Sequence, residues 1–581
     1  METALGFLVV SYACFALSLT GLATPVSFGV LFFVLTLLGA LELRRITFST
    51  ITARVTSFLG EARFAYAIPP IVAGLAYTAW VYLSALLPAT GIDELTYHLE
   101  VPRRILETGG ATVFPDNVRA YFPQFGEMLF LYGMAHGGEL GAKLYHALFA
   151  LLLALALYGF SRQYVSRGFA LLASALFLSV PSVMVISSWA YVDLHFALFG
   201  FLALVALLRY FEERNLSWAL AAGVMAGGAW ATKYTGLQLL LLLTLLVLIE
   251  QLTGKDRRLP VAAIATPAVA FCIFLPYALR NWINTGWPLY PFNVGPFVLK
   301  PDLNWDPERA GLLLAWLSGF GSSAEQSLVD VLVAPVLVFL TAGFNDIAAY
   351  DGFVGPAFLL IPVLWFRGTK PREARLVALF CLMFLLYWTV TTRQVRFLIP
   401  VLPALCFLLA VGLSNWRSRF LHGLIIVLIL VNVGVGVHQV LRLDPWAFWT
   451  GRESREEYLS RRVSGYPLYQ TANRLLGPQD RVFLVNMRNF GYLLDCNWRA
   501  DFVFQHFTLG EALEAASSTS DIEEYFRSRR ATHLMIDEGL TLTPDALDLR
   551  QRTMLAAFMR EHGSLVARNP LQPGQSLWRL R

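Results

Sequence analysis

The chain is poor in charge. Only 15% of its 581 residues are Asp, Glu, Lys or Arg, against 56% hydrophobic, and the mean hydropathy is +0.57. That balance is too apolar for a water-soluble protein of this length. Cysteine is also scarce: the five are Cys14, Cys272, Cys381, Cys406 and Cys496. Four of them lie in apolar runs and no two form a CxxC pair, which argues against a disulfide framework or a thiolate metal site. The start, Met1-Glu2-Thr3, lacks the basic region of a cleavable signal peptide, and a second apolar run follows the first almost at once. The soluble C-terminal stretch shows no Gly-rich phosphate loop, and the chain shows no internal repeat. The net charge of +5 comes mostly from arginines between apolar runs, a topology signal and no footprint of nucleic acid.

What fills the chain instead is a succession of apolar runs. Crossing a bilayer takes about 18 or more such residues. Runs are read at 4–21, 25–42, 66–87, 141–160, 169–187, 194–211, 218–233, 236–252, 260–279, 353–366, 374–391, 397–413 and 421–439. This predicts a mostly α, polytopic membrane protein of about thirteen spans. The short connections alternate in charge. One set carries Arg44, Arg45, Arg54 and Arg63, then Arg162 and Arg167, Arg214, Lys255, Arg257 and Arg258, then Arg367, Lys370 and Arg372, and finally Arg417 and Arg419. The other set has little beyond Lys233, Arg280, Arg393 and Arg396. Positive loops stay in the cytoplasm, so the first set is placed inside. The loops 88–140 and 280–352 and everything after Leu441 then face the extracytoplasmic side. Leu328 to Phe344 is apolar, but a crossing there would reverse all later parity, so it is read as interfacial or re-entrant.

Three regions follow: 1–65, with two spans and a basic connection; 66–440, the main transmembrane core; and 441–581, a soluble extracytoplasmic domain. In the last, Arg481–Val485 and Ala531–Ile536 read as buried strands, with helices at 509–516, 521–529 and 550–561, giving a small α/β domain.

The most informative stretch is Gly91-Ile92-Asp93-Glu94-Leu95-Thr96-Tyr97-His98-Leu99, directly after the third apolar run. Ionisable groups at a membrane boundary are expensive to keep and point to function. A carboxylate at the rim of an apolar cavity has its pKa raised by desolvation and suits a general base. The plainer reading of Asp93 and Glu94 is an acidic pair complementing a helix N-terminus. Tyr97 and His98 are placed to hydrogen-bond a polar ligand. Asp193, in Tyr191-Val192-Asp193-Leu194-His195, opens a span on the same side, either as an N-cap or as a second functional acid. Asp93, Asp193 and His195 are compatible with a divalent cation, but no spacing implies one, and no cofactor is required. Lys233, Arg280, Arg393 and Arg396 are the cations of the outer face, and Lys233 and Arg396 oppose the expected charge bias. They either snorkel to headgroups or bind an anion such as phosphate. The segments Tyr121–Glu127 and Gly286–Phe292 read as an interfacial aromatic belt, except for Glu127, a carboxylate just before a span.

Asp93-Glu94 with Tyr97-His98-Leu99, then Tyr121–Glu127, resembles the first outer loop of the GT-C superfamily, polytopic glycosyltransferases that use polyprenyl-phosphate sugars. The pattern is most similar to the branch holding protein mannosyltransferases, aminoarabinose transferase and the RgtA/B/C/D-like transferases. Tyr191-Val192-Asp193, Thr232-Lys233-Tyr234, Arg280-Asn281 and Arg393-Gln394-Val395-Arg396 resemble its later signatures, over roughly Leu87 to Ala410. The resemblance implies sugar transfer on the extracytoplasmic face of a bacterial inner or plasma membrane, from a polyprenyl-phosphate donor to a lipid, glycan or protein acceptor, usually with inversion. It implies Asp93 as base, Asp193 orienting a substrate, and Lys233 with Arg393 and Arg396 on the phosphate. Two apolar spans before the catalytic loop depart from the pattern and leave the role of residues 1–60 open. A transporter or flippase of lipid-linked sugars is the main alternative, disfavoured because the acids lie at one rim and no repeat is visible. A non-catalytic scaffold would leave these charges without a task.

Overall fold

The computed structural model describes residues 1–43, 64–111, 113–114, 117–253, 261–292, 299–300, 303, 305–318, 328–341, 343–501 and 506–581. Arg44, Arg45, Arg54, Lys255, Arg257 and Arg258 of the basic set lie outside these residues, as does Arg63. Helices dominate. Eight described helices are long and apolar enough to cross a membrane, or nine if the bent pair Arg167–Ser179 and Pro181–Ser187 forms one span. The chain is an integral membrane protein by this measure.

The count is smaller than thirteen for local reasons. The expected span at 353–366 is a five-residue 3-10 turn, Pro356–Leu360, continued by five helical residues, Ile361–Trp365. Pro356 and Pro362 each remove a backbone donor and break a longer helix. Leu216–Thr232 is only 17 residues long. Arg372–Thr389 spends its first turn on Arg372, Glu373 and Arg375. In Phe64–Ala85 only the part from Val72 onward has described side chains. Leu328–Leu337 comprises 10 described residues with Pro335 inside, fewer than a crossing needs, and residues 319–327 just before it lie outside the described ones.

One hairpin sets up the site. Asp193–Glu213 and Leu216–Thr232 are antiparallel, joined by Arg214, which is left-handed (φ 53°), and by Asn215, whose side chain caps the second helix. The start of the first helix therefore lies beside the end of the second, and Asp193 meets Lys233. The second helix also packs closely on Ala262–Thr285: a Cβ at Gly227 would come within 2.9 Å of the Ala270 carbonyl oxygen. At the far end of these helices Glu250 accepts from Arg214 at 2.9 Å and pairs with Arg372. Arg214 and Arg372, from two different basic connections, thus meet at one helix end around Glu250 of Thr235–Thr253.

The first helix, Glu2–Leu19, belongs to the core. Ser11 Oγ donates to the Phe125 carbonyl at 2.9 Å, Tyr12 donates to the Ile273 carbonyl, and Phe7 packs on Phe149. It braces Phe125–Ser161, a helix kinked at Gly137 and Gly138 whose start at Phe125 lies well ahead of the expected 141.

The C-terminal domain holds a five-stranded sheet: β1 Arg481–Val485, β2 Asn497–Ala500, β3 His533–Asp537, β4 Gly563–Arg568 and β5 Gln575–Leu580, in the order β2-β1-β3-β5-β4. β2, β1 and β3 run parallel, with Val482 opposite His533, while β5 and β4 are antiparallel additions. The expected helices are Phe507–Ala515, Thr519–Ser528 and Leu549–His562. The domain docks on the Asp93 end. Arg103 donates to the Gly491 and Leu494 carbonyls at 2.9 and 2.8 Å, and Trp498 Nε1 donates to Glu100 at 3.0 Å.

Candidate active site

Asp93 precedes a five-residue π-helix, Glu94–His98. The widened turn gives neighbouring residues very different surroundings. Asp93 faces a cavity of about 530 Å³, whose lining also includes Tyr97, Arg119, Lys233, Tyr234 and Arg396. Arg396, in the 3-10 turn Val395–Val401, donates from Nη1 to Asp93 Oδ2 at 2.7 Å. Arg119 Nη1 lies 4.0 Å from Asp93 Oδ1. Lys233 Nζ donates to Asp193 Oδ1 at 2.7 Å and sits 4.5 Å from the centre of the Phe397 ring. Arg396 lies over the same ring and over Tyr191, at 5.3 and 5.6 Å. Asp93, three cations and the Phe397 ring thus line one opening, while Asp193 is buried behind Lys233 and outside the lining. Beyond them the wall turns apolar, with Leu239, Leu242 and Phe384.

Burial does raise the proton affinity of Asp93, but Arg396 and Arg119 outweigh it and hold the carboxyl well below the usual carboxylate range. This corrects the expectation of an upward shift: the group is ionised, and its basicity is restrained by its partners. In Glu94, by contrast, burial prevails and the shift is upward.

Glu94 is buried, and its oxygens accept from the Gly91, Thr90 and Ala190 amides, so a reacting role is not what its geometry offers. His98 lies behind Tyr97, with Nδ1 2.7 Å from Glu127 Oε1; both are buried side chains outside the cavity lining. His195 is displaced furthest from expectation. Its ring sits among Phe125, Phe130 and Phe149 and stacks on His146, away from Asp193 two residues earlier. A cation held by Asp93, Asp193 and His195 is therefore not supported, and among the described residues no His/Cys/Asp/Glu group is arranged for a metal. Arg280 binds the Tyr121 and Phe122 carbonyls at 3.0 and 3.1 Å and fixes that segment. Tyr234 lines the cavity while its hydroxyl donates to the Tyr290 carbonyl at 2.8 Å. Arg393 is buried outside the cavity lining, and its two terminal nitrogens have no hydrogen-bond partner among the described residues.

A family model described as dolichyl-phosphate-mannose-protein mannosyltransferase matches residues 118–279. Among solved structures, ArnT from Cupriavidus metallidurans bound to undecaprenyl phosphate superposes with a TM-score of 0.56 at 15% identity, covering 89% of this chain and 98% of its own. Its apo state gives 0.57 at 15% identity, with 87% and 97% covered. The Archaeoglobus fulgidus oligosaccharyltransferase, in a complex with Zn and sulfate, gives 0.52 at 14% identity, with 86% and 72% covered. The chain has the GT-C glycosyltransferase fold. No curated protein matches it in sequence.

Within this GT-C fold the residues that sequence reasoning missed are Arg119 and Phe397. Arg119 carried a usable signal: it is a cation on the side where few are expected, two residues before Tyr121. Phe397 had none, because an aromatic after Arg396 is indistinguishable from belt residues until the fold puts it beneath Lys233.

Proposed function

We propose that the chain transfers a sugar from a polyprenyl-phosphate donor to an acceptor hydroxyl, with Asp93 as the general base. One observation carries this reading: Asp93, Arg119, Lys233 and Arg396 line a single cavity with a largely apolar wall, and Asp193, buried behind it, holds Lys233 in place. Anionic phosphate suits the cations and a prenyl chain suits the wall. The ArnT neighbour, bound to undecaprenyl phosphate, supports the same ligand class.

Chemically, the acceptor oxygen attacks the anomeric carbon, its proton passes to Asp93, and the bond from that carbon to the phosphate oxygen breaks. The departing polyprenyl phosphate gains negative charge, which Lys233, Arg396 and Arg119 are placed to stabilise. As Arg396 turns toward that charge it relaxes its hold on Asp93, whose basicity rises when the proton must be accepted. Attack opposite the phosphate inverts the anomeric centre. Asp193 keeps Lys233 oriented from behind the cavity wall. The reaction is assigned to the extracytoplasmic face by the charge bias of the loops.

The experiment is transfer in proteoliposomes from undecaprenyl-phosphate-linked sugars, read by mass spectrometry. Asp93→Asn is expected to lower the rate by about 10²–10⁴-fold. Wild-type turnover in that variant would remove Asp93 from the chemistry.

A further inference from the structure

The two acid-bearing turns are far apart in sequence, yet Glu94 touches both. Its Oε2 accepts from the Gly91 and Thr90 amides at 2.8 and 3.3 Å, and its Oε1 accepts from the Ala190 amide at 2.7 Å. The seat is built for it: a Cβ at residue 91 would lie 2.8 Å from Glu94 Oε2, so only glycine leaves the carboxylate room there. A second element grips the same turns. Lys143 and His146 share a face of Phe125–Ser161, being three residues apart. Lys143 Nζ donates to the Leu87 carbonyl at 2.6 Å. His146 has Nδ1 2.8 Å from the Trp189 carbonyl oxygen, while its Nε2 accepts from the Leu194 amide at 3.2 Å, an arrangement that only a neutral imidazole with the proton on Nδ1 satisfies.

We propose that Glu94 is a positioning residue, a clasp that ties the Leu87–Glu94 turn to the Ala190–Leu194 turn so that Asp93 and Asp193 present their cations to one phosphate. The functional consequence rests on the sugar-transfer reading; the clasp itself does not. Asp93 holds Arg396 and Asp193 holds Lys233, so separating the turns separates the two cations.

Two substitutions dissect it in the full-length protein. Glu94→Asp keeps the charge but is one methylene too short to span both turns. Glu94→Gln keeps the length but sets an NH₂ against one group of backbone amides. Hydrogen exchange reads the clasp without any ligand: both variants should deprotect the 87–94 and 188–194 segments together by at least about tenfold, a change of about 1.4 kcal/mol in opening. Continued protection of 188–194 overturns the proposal.

Binding of undecaprenyl phosphate, the probe without sugar, reads the consequence. Both variants should weaken it about tenfold, with Asp no better than Gln. A purely electrostatic role gives the opposite sign for Gln, because losing a nearby negative charge favours an anion; a reacting acid gives unchanged binding and better turnover in Asp than in Gln. Either result overturns the proposal. If the Glu94 variants fail to fold, His146→Ala, which changes no charge, should weaken binding severalfold and deprotect 188–194, and unchanged values there overturn the proposal. Absence of binding by the wild type would instead sink the sugar-transfer reading, leaving the exchange data to judge the clasp.

Discussion

The two ends of the hairpin Asp193–Glu213 and Leu216–Thr232 both carry ion pairs, and they are built differently. At one end Asp93, Arg396 and Lys233 line a cavity, with Asp193 pairing with Lys233 from behind, and the side chains of both pairs are between 3 and 20% exposed. At the other, buried Glu250 is met by Arg214 and Arg372, whose side chains are 50% and 42% exposed. The second cluster ties helix ends together and keeps arginines on one side. The first holds cations and acids in place around space for something else. Ion pairing alone therefore says little about function; pairing around a cavity with mixed polar and apolar walls says much more.

Arg396→Gln should separate the two ends most sharply, lowering transfer by about 10²–10³-fold because it removes a donor aimed at the leaving phosphate. It should also move the acid limb of the rate profile. In the wild type Asp93 is ionised at and above the ordinary carboxylate pKa of about 3.9, since its own pKa lies lower, and the rate falls only as pH drops through that lower value. Without Arg396 the burial penalty is opposed less, the carboxyl binds protons at higher pH, and the limb shifts upward. A limb that stays put separates Asp93 from the rate. Lys233→Ala comes next: donor KM should rise about 10–100-fold with a smaller loss in kcat, as expected for a cation that binds the phosphate in ground and transition states alike. Unchanged donor KM would take Lys233 off the phosphate. Arg119→Gln, whose cation is 4.0 Å from Asp93, should cost roughly 3–10-fold in kcat/KM, consistent with a charge one step from contact. Glu250→Gln should do least, leaving transfer within about twofold and changing stability by roughly 1 kcal/mol or less, because both arginines keep access to water or headgroups. A large activity loss there would erase the distinction between the two ends.

Asp93, Asp193, Lys233 and Arg396 were legible in the sequence because each is an ion where a span meets its boundary and each opposes a bias, of hydropathy or of loop charge. Among the expected residues that lie off the cavity lining are near neighbours of these. Glu94 follows Asp93, but the π turn sends it to backbone amides. His195 lies two positions beyond Asp193 on a helix, where i and i+2 do not share a face, so it enters the aromatic core. Arg393 sits ahead of the 3-10 turn that carries Arg396. Sequence locates charge along the chain, but direction around an irregular turn depends on packing. The same limit applies to the sheet: β1 and β3 were read from their continuous apolar character, whereas β2, with Asn497 and Arg499, and the edge strand β4 lack that signal. Proline and charge at helix starts likewise shortened spans that composition alone had counted.

Trp498 and the Gly491–Leu494 segment brace Glu100 and Arg103 just behind the π turn. During translation the Asp93 loop is therefore made long before its buttress emerges. The contacts that brace this loop join residues 388 to 398 positions apart, so they form only once the C-terminal domain has been made.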